Sequence, residues 1–158
     1  MYEKGLHDKK VTVWAAMSYQ GVIEPFFFED EDKNTVTVNS DRYVRVLSKF
    51  WTRLGQFIGA DARQHQWFQQ DGAAPHVSRQ SLQWISDHFE NRRISRSTDC
   101  PWSANSPDLN PLDFHLWGYL KDGLFGGEFE TTEDMKDAIK VAMRRITLAQ
   151  CLSSKKVH

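Results

Sequence analysis

Asp71 and Asp113 are the two residues of this sequence whose type and setting could do chemistry. Asp71 follows a short apolar run, Trp67-Phe68-Gln69-Gln70, and precedes Gly72. A carboxylate at the C-terminal end of a strand, with a glycine that lets the backbone turn, stands where α/β folds place their ligand sites. An Asx-type turn residue has the same appearance. Asp113 lies three residues after Asn110, and Pro111 suits the first position of a helix. That spacing makes Asn110 the N-cap and Asp113 a reciprocal capping residue. The same position also holds a carboxylate rigidly and ionised at the positive end of a helix dipole. Asp108 is close by, in an ordinary Ser-Pro-Asp turn. Two carboxylates from separate elements are hard oxygen donors of the kind Mg²⁺ or Mn²⁺ takes. A paired metal site of that type activates water or a 3′-hydroxyl and stabilises the leaving oxygen of a phosphodiester. It ordinarily needs more than two carboxylates.

Other residues near these acids have two readings each. His76, five residues after Asp71, suits a phosphate contact or the orientation of a water, and equally a surface or hinge histidine. Arg92, Arg93 and Arg96 cluster between the two acids and suit nucleic-acid phosphates or a solvated turn. Trp102 sits in a loop, where stacking on a base is open to it. The remaining tryptophans, Trp14, Trp51, Trp67, Trp84 and Trp117, fall mostly at core-facing positions. Arg42, Arg45, Lys49 and Arg53 share one side of a helix, and a solvated face is the simpler account of them.

The elements that must position these residues can be read from hydrophobic spacing. Val11 to Ser18 is β-branched, aromatic and nearly all apolar, which predicts a buried strand. Tyr19-Gln20-Gly21 turns the chain into a second strand, Val22 to Glu29, where Pro25 signals an edge or a bulge. An acidic turn follows, then a short strand at Thr35–Val38. Asn39-Ser40-Asp41 offers caps to a helix with apolar positions 43, 47, 50, 51, 54, 57 and 58, and Gly59 stops it. A short strand leads into Asp71. Ser78 caps a helix carrying Leu82, Ile85 and Phe89, and a short strand is expected at Ile94-Ser95. A loop from Asp99 to Pro111 opens a third helix. Thr131 caps the last helix, with Met135, Ala138, Ile139, Ala142, Met143 and Ile146 on its apolar face. Antiparallel strands first and βα units after predict a mixed α/β domain.

Composition narrows the classes further. The 158 residues are one domain's worth, 40% apolar and 26% charged, which is globular rather than disordered. Twenty Lys plus Arg against 21 Asp plus Glu leaves −1, so no bulk basic charge advertises nucleic acid. Apolar runs such as Pro25–Phe28 are only a few residues long, too short to span a membrane, and Met1 to Lys10 lacks the apolar core of a signal peptide. Cys100 and Cys151 are too few for a disulfide framework or a zinc motif, and a reducing compartment is the default.

Two stretches carry a family resemblance. Trp67-Phe68-Gln69-Gln70-Asp71-Gly72-Ala73-Ala74-Pro75-His76 resembles the second-aspartate motif of mariner-type transposases. Ser106-Pro107-Asp108-Leu109-Asn110-Pro111-Leu112-Asp113-Phe114-His115-Leu116-Trp117-Gly118 resembles their third-acid motif. Lys9-Lys10-Val11-Thr12-Val13-Trp14 and Gly21-Val22-Ile23 are similar to the hairpin that precedes both, and the likeness runs from about His7 to Arg145. The resemblance implies a ribonuclease-H-like mixed sheet flanked by helices. It also implies a DDE/DDD triad with two divalent metals, Mg²⁺ or Mn²⁺, that cleaves DNA at transposon ends and transfers the strand to a target. Its partners would be transposon-end and target DNA and a second copy of the chain, in the nucleus and away from membranes. By motif, Asp71 is the second acid and Asp113 the third, while Asp108 is not a ligand.

Two features depart from that pattern. The acids are separated by 41 residues, a long interval whose extra length falls at Asn91–Ser103. The first acid has no counterpart, because ten residues precede Val11 and Asp8 takes a loop position just before the strand. Glu29, Asp30, Glu31 and Asp32 lie in the turn after the hairpin, which carries no ligand in the family. The expectation is one partial catalytic domain over 1–158, lacking the first central strand and the helix-turn-helix part, and inactive alone. Loss of that strand would leave two sheet edges open. The alternative is a domesticated, non-catalytic module that binds DNA or protein.

Overall fold

A computed structural model describes residues 2–6, 9–96, 98, 116–124 and 129–146. They fall into two compact units, one from Met1–Thr37 with Pro107–His158 and one from Val38–Ser106.

In the first unit, the run expected as a buried strand forms the middle of a three-stranded antiparallel sheet. β2 (Lys9–Ser18) pairs with β1 (Tyr2–Leu6) on one side and β3 (Gly21–Phe27) on the other. The β2–β3 register opens at Ser18↔Gly21 and shifts between Trp14 and Ala16, where β3 spends one residue more than β2. Pro25 lies in that extra stretch, as a residue without an N–H should. β1 is a departure from the sequence reading, which left that side of β2 bare. Five residue pairs from Tyr2↔Val13 to Leu6↔Lys9 cover it. Pairing groups on the backbone are available to any sequence, so a polar segment with no hydrophobic pattern can still add a strand.

Two helices pack on this sheet. Of the third helix, α4 (Trp117–Leu124) is the described part, and Asn110 and Pro111 lie outside the described residues. α5 (Thr132–Arg144) begins as expected at Thr131, whose hydroxyl accepts from the Asp134 N–H while Asp134 accepts from the Thr131 N–H. Val11, Val13 and Ala15 of β2 form one buried cluster with Leu116, Trp117, Leu120 and Leu124 of the α4 region and Met135, Ile139 and Met143 of α5. Thr35–Val38 does not form the expected strand. A single bridge, Glu29↔Thr35, closes a turn in which the Asp30 carboxylate accepts from the Asn34 N–H at 2.9 Å. Satisfying the backbone locally in that way removes the need for a ladder.

In the second unit, α1 (Ser40–Ile58) starts where Asn39 accepts from the Arg42 N–H at 2.9 Å and ends at Gly59, whose φ of 92° suits glycine. Its buried face is Tyr43, Val46, Leu47, Phe50 and Leu54. α2 (Ala60–Arg63), a single turn, was not legible in the sequence. β4 (Phe68–Gln69) and β5 (Arg93–Ile94) are parallel, joined through α3 (Arg79–Phe89), which Ser78 caps. Phe68 stacks on Phe89 with centroids 5.0 Å apart, and Trp51 meets Phe89 edge-on at 5.1 Å. Trp67 is 58% exposed, against the expectation that it faces the core. Side chains alternate along a strand, so inward Phe68 and Gln70 turn their neighbour outward.

Candidate active site

β4 points its C-terminal end at the candidate site. The Phe68 N–H donates to Arg92 O at 2.9 Å and the Gln70 N–H to Ile94 O at 3.0 Å, so β5 holds the chain straight up to Gln70. Asp71 is the first residue past that ladder, and both sequence readings of its position describe it. Its Oδ1 accepts from the Ala73 N–H at 3.0 Å, which is an Asx turn. The same Oδ1 lies 2.6 Å from His76 Nδ1. Oδ2 has no partner among the described residues. The carboxyl is held well below its ordinary value, to about 2, by the His76 bond first; burial opposes this and the Ala73 amide adds to it. Asp71 is therefore ionised at neutral pH, with 36% of its side chain exposed.

His76 occupies a different setting from the one its spacing suggests. Its spacing suits a phosphate or water contact, or equally a surface or hinge histidine, but the residue is 4% exposed. The ring stacks on Tyr43, centroids 4.4 Å apart and planes 28° off parallel. Nε2 is buried without a partner among the described residues.

Gln70 ties this corner together. Its Oε1 accepts from the Tyr43 hydroxyl at 2.6 Å, and its Nε2 donates to His76 O at 2.8 Å and to Ser95 Oγ at 2.9 Å. Tyr43, Gln70 and Ser95 are all buried, and they come from α1, the end of β4 and the end of β5. Sequence reasoning missed this network. The available signal was parity: Phe68 and Gln70 share a face of one strand, so a glutamine on the inward face must find buried partners.

The other predicted residues divide. Arg96 is exposed, and its Cδ lies 3.5 Å from where a Cβ on Gly72 would stand, so its stem runs beside the residue that follows Asp71. Arg93 is half-buried on β5, and Arg92 lies 3.8 Å from the Glu90 carboxylate. Asp113 and Trp102 lie outside the described residues, as does Asp108. Among the described residues no three His, Cys, Asp or Glu side chains gather as a metal-binding group. Asp71 fits a hard divalent cation in kind, as an ionised carboxylate with one unpartnered oxygen, and supplies one donor of a larger set. Among the described residues no helix is long and apolar enough to cross a membrane.

The chain is 30% identical over 138 residues to the Tc3 transposase of Caenorhabditis elegans, covering 86% of this chain and 37% of the relative. It is 26% identical over 137 residues to human histone-lysine N-methyltransferase SETMAR, covering 85% of this chain and 18% of the relative. The chain thus spans well under half the length of either relative. No protein-family model matches it. The crystal structure of the catalytic domain of Mos1 mariner transposase superposes with a TM-score of 0.80 at 23% identity, over 99% of this chain and 74% of that one. The Mos1 mariner paired end complex with Mn gives 0.77 at 20% identity, over 99% of this chain and 43% of that one. The fold is that of the Mos1 catalytic domain, the ribonuclease-H-like class expected from the sequence. In sequence the chain is similar to Tc3 transposase and SETMAR, and in fold it is similar to the catalytic domain of Mos1 mariner transposase.

Proposed function

We propose that the chain is the catalytic part of a transposase that cuts DNA at transposon ends and joins them to a target, working in the nucleus. The observation that carries this reading is Asp71: an ionised carboxylate at the C-terminal end of β4 with Oδ2 unpartnered among the described residues. Mos1 catalytic domains in complex with Mn and with Mg support Mg²⁺ or Mn²⁺ as the cofactor. The Mos1 paired-end complex with left transposon end supports DNA as the partner, and paired ends suit a homodimer. In this reading Asp71, the second acid, holds metal through Oδ2, and Asp113 is the third acid by its motif. The metal pair, when bound, activates the attacking oxygen and stabilises the leaving oxygen of the phosphodiester. Arg96 screens phosphate charge beside Gly72, Arg92 and Arg93 extend that patch, and Trp102 stacks on a base. These 158 residues carry two of the three acids in the motif set, so on their own they are expected not to nick DNA.

Calorimetric titration of the chain with Mn²⁺ tests the reading. The expected result is saturable binding that Asp71→Asn and Asp113→Asn each abolish. Binding that survives both substitutions, or none in the wild type, removes the catalytic assignment.

A further inference from the structure

We propose that His76 is a positioning residue: its Nδ1–H fixes the Asp71 carboxylate through Oδ1, so that Oδ2 is the oxygen Asp71 presents. The function of that presented oxygen rests on the reading of Asp71 as a metal ligand.

The geometry supports this in three steps. First, a half-exposed carboxylate on a turn is ordinarily free to rotate. Here the Ala73 N–H at 3.0 Å and His76 Nδ1 at 2.6 Å both converge on Oδ1. Two donors in different directions on one oxygen set the plane of the group and leave the other oxygen open.

Second, the imidazole is itself immobile. It is stacked on Tyr43, and the backbone of its residue is held at both ends, its N–H donating to Ala73 O at 2.8 Å and its carbonyl accepting from Gln70 Nε2 at 2.8 Å. Gln70 cannot flip its amide without loss. Oε1 meets a hydroxyl donor from Tyr43, while Nε2 meets two oxygens, His76 O and Ser95 Oγ. The order of the site therefore passes from buried Tyr43, Gln70 and Ser95 to His76, and from His76 to the half-exposed acid.

Third, the tautomer is determined by the surroundings. A proton on Nε2 would be buried with no acceptor among the described residues, whereas a proton on Nδ1 has Asp71 Oδ1 within 2.6 Å. The ring thus carries a proton on Nδ1, as the donor role requires. A phosphate contact needs an exposed nitrogen, and neither nitrogen of this ring supplies one.

Residues that orient a ligating group through a hydrogen bond commonly change metal affinity 10–100-fold when removed. The test uses the full chain and two independent readouts. In ¹⁵N-histidine NMR of the wild type, His76 is expected as the Nδ1–H form, with a slowly exchanging Nδ1 proton whose resonance moves in Asp71→Asn. In Mn²⁺ calorimetry, His76→Leu is expected to weaken binding about 10–100-fold. His76→Asn, whose amide N–H can occupy the Nδ1 position, is expected to stay within a few-fold of wild type. An Nε2–H tautomer in the wild type overturns the proposal without any variant needing to fold. So does a folded His76→Leu chain that binds Mn²⁺ as the wild type does. If the wild type binds no Mn²⁺, the metal reading of Asp71 fails. The NMR arm still decides whether His76 holds that carboxylate.

Discussion

Gln70 concentrates more unreplaceable bonds than any other described side chain of the candidate site, and its neighbours show what that is worth. Tyr43→Phe keeps the ring against His76 and removes only the hydroxyl, leaving Gln70 Oε1 buried without its donor. Denaturant unfolding is expected to show a loss of about 1–2 kcal/mol, with the far-UV spectrum unchanged. A second residue-scale prediction concerns Lys136, whose side chain is 3% exposed. Its ammonium donates to Glu29 Oε2, to Glu133 Oε1 at 2.9 Å and to Lys33 O at 3.2 Å. Burial raises the Glu29 carboxyl, but bonds from Lys136 and Lys33 lower it by more, and the net is downward from 4.5. Burial lowers the Lys136 ammonium, but Glu29 and Glu133 raise it by more, and the net is upward from 10.5. The depressed Glu29 contributes fully above pH 4.5 and loses its contribution as pH falls through its lower folded value. The raised Lys136 contributes fully below pH 10.5 and loses its contribution as pH rises through its higher folded value. Lys136→Met is therefore expected to cost about 1–3 kcal/mol near neutrality, because it leaves the partly buried Glu29 carboxylate with the exposed Lys33 as its remaining cationic partner. The gap to wild type should narrow on both sides of that window in urea titrations run across pH. A gap that stays flat into acid would sink the assignment of Glu29 as the partner. None of this was legible in the sequence, because Glu29 and Lys136 are far apart in the chain and only the folded turn brings them together.

At the scale of elements, the caps were the most legible features and the sheet edges the least. Asn39, Ser78 and Thr131 each cap the helix expected of them, because a cap is a local matter of one side chain and an N–H two or three residues on. The Thr131–Asp134 box makes a testable claim about α5. Thr131→Ala is expected to lower stability by about 1 kcal/mol. Asp134→Ala added to it should cost less than it does alone, since the two share one box. Thermal melts of the two single variants and the double variant check this, and full additivity would mean that the box is not cooperative. By contrast, Thr35–Val38 has strand-like residues and no partner ladder, while Tyr2–Leu6 has a ladder and no strand-like pattern. Strand residues need a partner that local sequence does not name, so propensity misjudged both. Pro25 is the instructive exception, because a missing N–H limits a strand wherever its partner lies.

At the scale of the whole molecule, the acid motif was legible because it sits where a strand ends, and strand ends can be read from a short apolar run followed by Asp-Gly. The shell that orders Asp71 was not, because Tyr43, Gln70 and Ser95 come together only through the parallel pairing of β4 with β5 and the packing of α1. Charge is the property that the sequence states for the chain as a whole, and it limits how these residues can hold DNA. With 20 basic and 21 acidic side chains, the chain has no net field to draw in a polyanion. In the proposed function, binding to duplex then draws on local cations beside Asp71, with Arg96 exposed next to Gly72 and Arg92 partly engaged by Glu90. Each phosphate neutralised releases counterions and adds about −0.9 to the slope of log affinity against log salt. Contacts from Arg92, Arg93 and Arg96 alone predict a slope of about −3, and the engagement of Arg92 brings it nearer −2. Fluorescence anisotropy of a labelled duplex over a salt series measures this directly. Arg96→Ala should make the slope shallower by about one unit and weaken binding to all sequences alike, because a phosphate contact carries no base information. A slope far steeper than −3, or one that Arg96→Ala leaves untouched, would move the DNA-binding surface of these residues away from the Asp71 corner.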